Sequence, residues 1–287
     1  MRHRNTSILA VLLLCLVAGT VSAQTADLNP LLHDRFAIYL GGFFPDISSE
    51  VTINGTILPG DSLDFENVLG LEDSKNVLWG GARWRISRRN MLEFEFADLN
   101  RKGSVQATEE FLIGDSLAQV GAQIDTTFDV TLGRLTYGFA VIKDEKKQLY
   151  LKAGVHIADL GTSFQMTGAV CLPGETPPAC SIFGETPQLE AEEITVPLPH
   201  FGGGFSYAFT PKLVGRLQAL AFALEVNGID GSLIEVDADL IWNPWKHFGV
   251  GAALRYFVVD VEATSSNLNG EFEFKYWGPA IYGIFTF

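Results

Sequence analysis

The sequence predicts an all-β fold, namely an antiparallel up-and-down transmembrane β-barrel of about ten strands, with eight or twelve as alternatives. Three observations lead to this prediction. Apolar and polar residues alternate in long runs along most of the chain, and short turns alternate with long connections between those runs. After residue 23, no stretch offers about 18 apolar residues free of helix breakers, which excludes a polytopic helical membrane protein.

Composition narrows the class of protein further. The chain of 287 residues is 47% hydrophobic and has a formal net charge of −14. Such an apolar chain is not disordered, and its acidic balance disfavours nucleic acid as a partner because phosphates are repelled by negative charge. The length fits one large all-β domain as well as two ordinary domains.

The N-terminus is typical of a signal peptide covering residues 1–23. Arg2 and Arg4 precede the apolar run from Ile8 to Val17, and Val21-Ser22-Ala23 supplies the small residues of a cleavage site. A retained membrane anchor is the alternative, but about 11 apolar residues are short for a span. We therefore expect residues 24–287 to form the barrel domain.

The clearest hairpin joins residues 77–87 to residues 91–99. In each of these runs the charged residues occupy one face and the apolar residues occupy the other. The turn at 88–90 sets the register of the hairpin. Pairing residue 87 with residue 91 places two cation–anion pairs opposite each other, Arg85 with Glu93 and Arg83 with Glu95.

The same alternation recurs to the end of the chain, with uncertain boundaries. The seventh run, which contains Leu217 to Val226, can also be interpreted as a short helix. Interruptions of the alternation near Gly133, Pro199 and Gly278-Pro279 predict β-bulges. The predicted strands are 35–45, 75–87, 91–108, 122–142, 148–168, 192–209, 213–229, 232–242, 248–264 and 271–287.

Alternation alone does not separate a soluble β-sandwich from a membrane barrel, because both have unlike faces. The connections decide between them. The long ones, at 45–76, 109–121 and 169–192, fall on one side, and the short turns fall on the other, as in outer-membrane barrels. An even number of strands places both termini in the periplasm.

The C-terminal strand carries the most specific pattern. Residues 280–287 alternate hydrophobic side chains and end with Phe285 and Phe287. This ending resembles the assembly signal of the small bacterial outer-membrane β-barrel proteins. The resemblance implies location in the outer membrane of a Gram-negative bacterium after export through the periplasm. It also implies contact with outer-membrane lipid and lipopolysaccharide, and assembly by the barrel-assembly machinery through this strand.

In such a barrel the charged faces of the strands point into the lumen, where buried charges need partners. A salt-bridged, largely plugged lumen with a structural or surface-interaction role is one interpretation. A narrow pore for small hydrophilic solutes or cations, with a column of three acids along one strand, is the alternative. The predicted lumen residues are Arg83, Arg85, Glu93, Glu95, Arg134, Lys152, His156, His200, Glu235, Asp237, Asp239, Arg255, Glu273 and Lys275.

Enzymatic activity is the least favoured interpretation. The Asp-x-His element of omptin-type proteases and the His-x-Ser element of outer-membrane lipid-modifying enzymes are both absent. His156 and His200 can face one another across adjacent strands, but we expect polar filling rather than catalysis. No cofactor or resident metal is expected. The loop acids Asp61, Asp64, Glu66, Glu72 and Asp73 are expected to be solvated, with Ca²⁺ binding as the alternative.

Two cysteines lie in the long connection after the fifth strand. Cys171 and Cys180 bracket a Pro- and Gly-rich octapeptide, and an exported chain meets an oxidising compartment. We therefore expect an intramolecular disulfide in an extracellular loop. A metal pair is a weaker alternative, because no histidine is nearby.

Overall fold

The structure, a computed structural model, describes residues 29–54, 59–107, 111–113, 116–171, 181–183, 189–190, 194–226, 229–264 and 269–287. The predicted signal peptide and Cys180 therefore lie outside the described residues. Among the described residues, no helix is long and apolar enough to cross a membrane. The elements are α1 (Pro30–His33), β1 (Phe36–Phe43), β2 (Asp46–Asn54), β3 (Pro59–Asp64), α2 (Phe65–Val68), β4 (Val77–Arg85), β5 (Asn90–Asp98), β6 (Arg101–Gln106), β7 (Phe111–Ile113), β8 (Ser116–Ala118), β9 (Gln123–Lys143), β10 (Lys147–Cys171), β11 (Ser181–Phe183), β12 (Leu189–Glu190), β13 (Ile194–Thr210), β14 (Leu213–Val226), β15 (Ile229–Trp242), β16 (Phe248–Thr264) and β17 (Asn269–Thr286).

These strands close into an antiparallel barrel of ten staves. The order around the barrel is β1, β4, β5, β9, β10, β13, β14, β15, β16 and β17, and β17 pairs back with β1. β2 continues the stave of β1 along β17, and β6 continues the stave of β5 along β9. The prediction of a ten-strand up-and-down barrel is confirmed.

Individual strands differ from the predicted ones in three respects. The run from Leu217 is a strand, β14, so the helical alternative is wrong. The chain after Pro45 is not a plain loop, because β2 keeps the register of β1 against β17. The predicted bulges at Gly133 and Pro199 are absent, since both residues hold their place in uninterrupted ladders with β10.

The alternation of β9 explains why a bulge was predicted there. Even-numbered residues point into the barrel along nearly the whole strand, so the facing never changes at Gly133. The polarity of each face changes instead. Before Gly133 the inward residues are mainly apolar, as at Phe128 and Val130, whereas after it they include Arg134 and Thr136.

The same inversion occurs in the neighbouring staves and divides the barrel into two halves. In the membrane half, which comprises residues 36–44, 77–86, 90–97, 134–142, 148–157, 200–209, 214–221, 234–242, 248–256 and 277–287, large apolar residues point outward. In the outer half, which comprises residues 46–54, 98–106, 123–133, 158–171, 194–199, 229–233, 257–264 and 269–276, the described outward positions are mainly polar. An outward apolar band with a polar interior is the pattern of a membrane-spanning barrel.

The outer half has an apolar core of its own. Inward side chains of β9, β13, β16 and β17 pack there, and Val130, Leu198, Phe257 and Phe274 are each at most 8% exposed. Strands β9 and β10 contain 21 and 25 residues, about twice the number needed to cross a bilayer. The barrel therefore extends well beyond the membrane as a water-facing structure with a dry interior.

Candidate functional site

The membrane half of the barrel holds a cluster of buried charges, which we call the charged layer. Ladder registry sets its level, because Glu95, Arg134 and His156 are successive cross-strand partners on β5, β9 and β10. Asp237 and Arg255 are likewise partners on β15 and β16. The charged layer comprises Glu93, Glu95, Arg134, Lys152, His156, Arg216, Glu235, Asp237, Asp239 and Arg255.

Two arginines hold the centre of the charged layer. Arg134 contacts Glu95 at 2.5 Å and Asp237 at 3.3 Å, and it also pairs with Glu235. Arg255 pairs with Glu95 at 3.2 Å and with Asp237 at 3.7 Å. The three carboxylates lie within 4.8 Å of one another, a spacing that suits a cation, but each of them already pairs with at least one of the two guanidinium groups.

Aromatic side chains complete this centre. The guanidinium of Arg255 lies 3.8 Å from the centroid of the Trp79 ring, a cation–π contact. The Tyr39 hydroxyl donates to Glu95 at 2.7 Å, and the Tyr282 hydroxyl donates to Asp239 at 2.7 Å. Gly251 makes room for Tyr282, since a Cβ there would lie 2.3 Å from the ring.

A second group of contacts surrounds Lys152. Its ammonium pairs with Glu93 and donates to the side-chain oxygen of Gln218. Arg216 lies 3.9 Å from Glu93, and the amide of Gln218 donates to Asp237 at 3.0 Å. The two groups are therefore one continuous hydrogen-bonded network across the bore.

Two histidines extend the network into a chain of four side chains. His156 Nε2 lies 2.6 Å from Glu235, the two Nδ1 atoms of His156 and His200 lie 3.0 Å apart, and His200 Nε2 lies 3.0 Å from the Thr136 hydroxyl. The carboxylate of Glu235 can only accept hydrogen bonds. When both histidine rings are neutral, it therefore determines which atom donates in each hydrogen bond of the chain. Thr136 then donates to His200, His200 donates to His156, and His156 donates to Glu235. Gly154 makes this possible, because a Cβ there would lie 2.8 Å from His200 Nε2.

Little space is left within the charged layer. The cavity beside Arg134 and His156 measures about 30 Å³, and the cavity beside Lys152 and Gln218 measures about 20 Å³. Each of these volumes corresponds to about one water molecule. In the part of the chain that the structure describes, the charged layer thus fills the bore.

The end of the bore on the side of the short turns is closed by α1, which the sequence analysis did not anticipate. Asn29 caps this helix by accepting from the Leu31 amide at 3.0 Å, and Pro30 follows at the first helical position. Leu31 and Leu32 are buried inside the barrel. The helix is held by Arg83, which donates to the Leu31 carbonyl at 2.7 Å, and by Gln148 and Asn29, which donate to the Leu32 and Pro211 carbonyls.

The structure places most predicted lumen residues inside the barrel but pairs them differently. Arg83 lies opposite Glu93, two residues from the predicted register, and neither predicted Arg–Glu pair forms. The ladder ends with Arg85 opposite Met91, so the connection is longer than the predicted three-residue loop. Arg85 donates instead to the Tyr150 hydroxyl at 2.6 Å.

Two predicted lumen residues are misplaced. Glu273 and Lys275 lie on the outward face of the outer half and pair with each other at 3.7 Å, because the polarity of β17 inverts near Trp277. The predicted acid column is inward-facing, but Glu235 and Asp237 have basic partners and Asp239 accepts from a tyrosine.

One buried charge was missed. Arg101 is fully buried in the outer half, where it pairs with Glu66 and donates to the Ser49 hydroxyl at 2.5 Å. Its position two residues after the inward-facing Leu99 was the available signal. Glu66 is therefore not a solvated loop acid, and Asp64 caps α2 by accepting from the Asn67 amide at 2.9 Å.

The proposed disulfide cannot be placed on the structure. The backbone of Cys171 ends β10, while Cys180 lies outside the described residues. The expectation of a clipped extracellular loop stays a prediction.

Comparisons with known proteins agree with the fold. No protein-family model and no curated protein sequence matches the chain. The structure is similar to the outer membrane protease OmpT from Escherichia coli, with 12% identity, 93% of this chain and 100% of that chain covered, and a TM-score of 0.50. It also matches the outer membrane protein OprG from Pseudomonas aeruginosa, with 12% identity, 89% of this chain and 97% of that chain covered, and a TM-score of 0.35.

OmpT shares with the chain the closed antiparallel barrel of an outer-membrane protein. The barrel and its outward apolar band support location in the outer membrane of a Gram-negative bacterium.

Proposed function

We propose that the chain is an outer-membrane barrel with a closed lumen, which presents its outer half at the cell surface in a structural or interaction role. The observation that carries this proposal is the filled interior. The charged layer leaves cavities of about 30 and 20 Å³, α1 closes one end, and an apolar core fills the outer half.

The long strands support the surface role. They carry an apolar core beyond the lipid and expose polar residues around it, which is how a water-soluble domain is built. Continuous ladders join β9 to β10, β15 to β16 and β16 to β17 in the outer half, and such a paired surface suits contact with another molecule better than passage of one. Outer-membrane lipid and lipopolysaccharide are the partners that we propose for the apolar band.

A narrow cation pore is the less supported alternative. Its acid column would have to be free to coordinate passing ions, yet Arg134 and Arg255 neutralise Asp237 and the Tyr282 hydroxyl donates to Asp239. Binding in a conducting filter must be weak enough for the ion to leave. A carboxylate that already pairs with arginine does not meet this requirement.

We also propose that the barrel is not an enzyme. The chain of Thr136, His200, His156 and Glu235 has the order of a hydroxyl, a base and a carboxylate, as in nucleophilic catalysis. However, Thr136 and His200 are both 0% exposed, so no substrate reaches the hydroxyl. The likeness to a protease of 12% identity concerns the fold alone.

Planar-bilayer conductance of the refolded protein tests the closed lumen. We expect no stepwise current, and an open porin reconstituted in the same way serves as the positive control. Discrete, reproducible current steps from the refolded protein would overturn the closed lumen and favour the pore.

Surface presentation is tested by epitope tags in intact cells. One tag is inserted at residues 265–268, between β16 and β17, and a matched tag is inserted in the turn Asp144–Lys146. We expect antibody to reach the first tag in intact cells and the second only after the outer membrane is opened. The reverse result would invert the proposed topology.

A further inference from the structure

A cavity of about 1030 Å³ opens at the periplasmic mouth of the barrel. It lies against α1 and the turns that follow β4 and β9, and we call it the basic basin. Two carboxylates, Asp144 and Glu145, also line it. Its cationic side chains are Arg35, Arg85, Arg88, Lys143, Lys146 and Lys147.

The positive charge of the basic basin is not balanced within the described part of the chain. Arg85 is 6% exposed, and its hydrogen bonds go to neutral groups, namely the Tyr150 hydroxyl at 2.6 Å, Gln148 at 3.5 Å and the Asp34 carbonyl at 3.4 Å. A buried guanidinium without a counter-anion is unfavourable, so an anion brought to it is stabilised.

Within the described residues, Arg85 forms no ion pair with a neighbouring acid. Asp144 accepts the backbone amides of Lys146 and Lys147 and forms an exposed pair with Lys147 at 3.7 Å. Next to Arg85, Arg83 donates to the carbonyl of Leu31. Both arginines of β4 are therefore bound to dipoles and not to carboxylates.

Lys143 lies among the arginines of the basic basin and is affected by their charge. Burial, together with the charges of Arg85, Arg83 and Arg88, lowers the pKa of Lys143 to about 8. The chain as a whole has a net charge of −14, so the positive charge of the basic basin is local and opposite in sign to that of the rest of the molecule. The overall negative charge of the protein would repel anions, so an anion that binds in the basic basin is not held by nonspecific attraction to the protein surface.

We propose that the basic basin binds a phosphorylated anion that carries at least two negative charges. Its volume is at the upper end of the range of small-molecule sites. Guanidinium forks match the paired oxygens of a phosphate group, and lysines add point charges around them. A free periplasmic phosphorylated compound and a phospholipid headgroup offer the same chemistry.

The first test is isothermal titration calorimetry of the refolded full chain with inorganic pyrophosphate at pH 7 and low salt. We expect saturable binding that Lys143→Met weakens about tenfold, which corresponds to the loss of about 1.4 kcal/mol of binding free energy. Lys102→Met, which removes an exposed lysine of the outer half, is the matched control and should leave the affinity unchanged. Absence of saturable binding to pyrophosphate and to the lipids below, or equal weakening in both variants, would overturn the proposal.

Proton linkage provides a second readout. A bound anion raises the pKa of Lys143, so binding at pH 8 should take up protons in the wild-type chain. Titrations in buffers of different ionisation enthalpy measure this uptake, and it should be lost in Lys143→Met. Saturable binding with the same proton uptake in the variant would contradict the assignment of Lys143 to the site.

The source of the anion is distinguished by lipid nanodiscs. Binding to nanodiscs containing cardiolipin, whose headgroup carries two negative charges, but not to free pyrophosphate, would assign the basic basin to a headgroup. Binding to pyrophosphate in nanodiscs of phosphatidylcholine would assign it to a free compound. The periplasmic orientation rests on the proposed topology, but the binding measurements do not, so either can fail without the other.

Discussion

The two halves of the barrel are built from the same strands with opposite polarity. Along β9, Leu135 points to the lipid and Arg134 into the bore, whereas Thr131 points to water and Leu132 into the bore. Strand geometry fixes the direction of each side chain. The solvent around each half determines whether polar or apolar side chains are stable on the outward face. The point where the polarity of the two faces swaps, while the side chains keep their directions, therefore marks the edge of the membrane.

The largest expected effect separates the interiors of the two halves. Arg134→Met leaves Glu95, Glu235 and Asp237 short of a counter-charge inside the barrel, so the free energy of unfolding should fall by about 3–5 kcal/mol. Denaturant titration in detergent micelles measures this change. Arg101→Met is the matched change in the outer half.

A smaller loss, of about 1–3 kcal/mol, is expected for Arg101→Met. Its partner Glu66 is 12% exposed and can be rehydrated, while the acids around Arg134 cannot. Equal losses in the two variants would show that the interiors do not differ in access to water.

The next prediction compares the outward faces. Leu135→Arg places a charge against lipid and should cost about 2–4 kcal/mol if it lies near the midplane of the bilayer. Thr131→Arg, four residues away on the same face, should change the stability by less than about 0.5 kcal/mol. Folded protein recovered in membranes, scored by its heat-sensitive mobility in gels, measures both. Equal recovery would place both positions in one solvent.

The smallest effect concerns the water-facing side of the outer half. Partial burial, and then Glu273, Glu262 and Asp230, raise the pKa of Asp260. A carboxyl whose pKa is raised on folding stabilises the folded state fully only below its unfolded pKa of 3.8, and this contribution is lost as the pH rises through the folded pKa. Asp260→Asn should therefore raise the melting temperature slightly at pH 7.

The gain from Asp260→Asn should disappear at pH 3, where the wild-type carboxyl is itself protonated. Thr131→Asn, which changes an outward-facing position of the outer half without removing a titratable group, serves as the control and should give the same change in melting temperature at both pH values. If Asp260→Asn raised the melting temperature equally at both pH values, charge repulsion would not be the cause of the gain.

Strand number and order were predictable because alternation is a local signal that ten runs repeat. The pairing of charges was not, because it depends on turn length and on the stagger of opposite walls. The turn after Arg85 shifts the hairpin by two residues, and Arg134 finds Asp237 across the bore, 103 positions along the chain. Alternation also misled at Gly133, where a change of solvent was interpreted as a bulge.

The plug helix α1 was missed for a different reason. Four residues are too few to show periodicity, so only Asn29-Pro30, a cap followed by proline, signalled a helix start. Arg101 was missed because it is an isolated charge among inward positions. Neither its burial nor its partner Glu66 follows from local pattern.

The contacts of α1 also constrain the order of assembly. The hydrogen bonds from Gln148 to Leu32 and from Asn29 to Pro211 span 116 and 182 positions in sequence. Contacts of such high sequence separation form late, because the chain between them must first be ordered. The helix can dock only after β1, β10 and the β13–β14 turn have reached their final register. Its insertion is therefore expected to follow closure of the barrel.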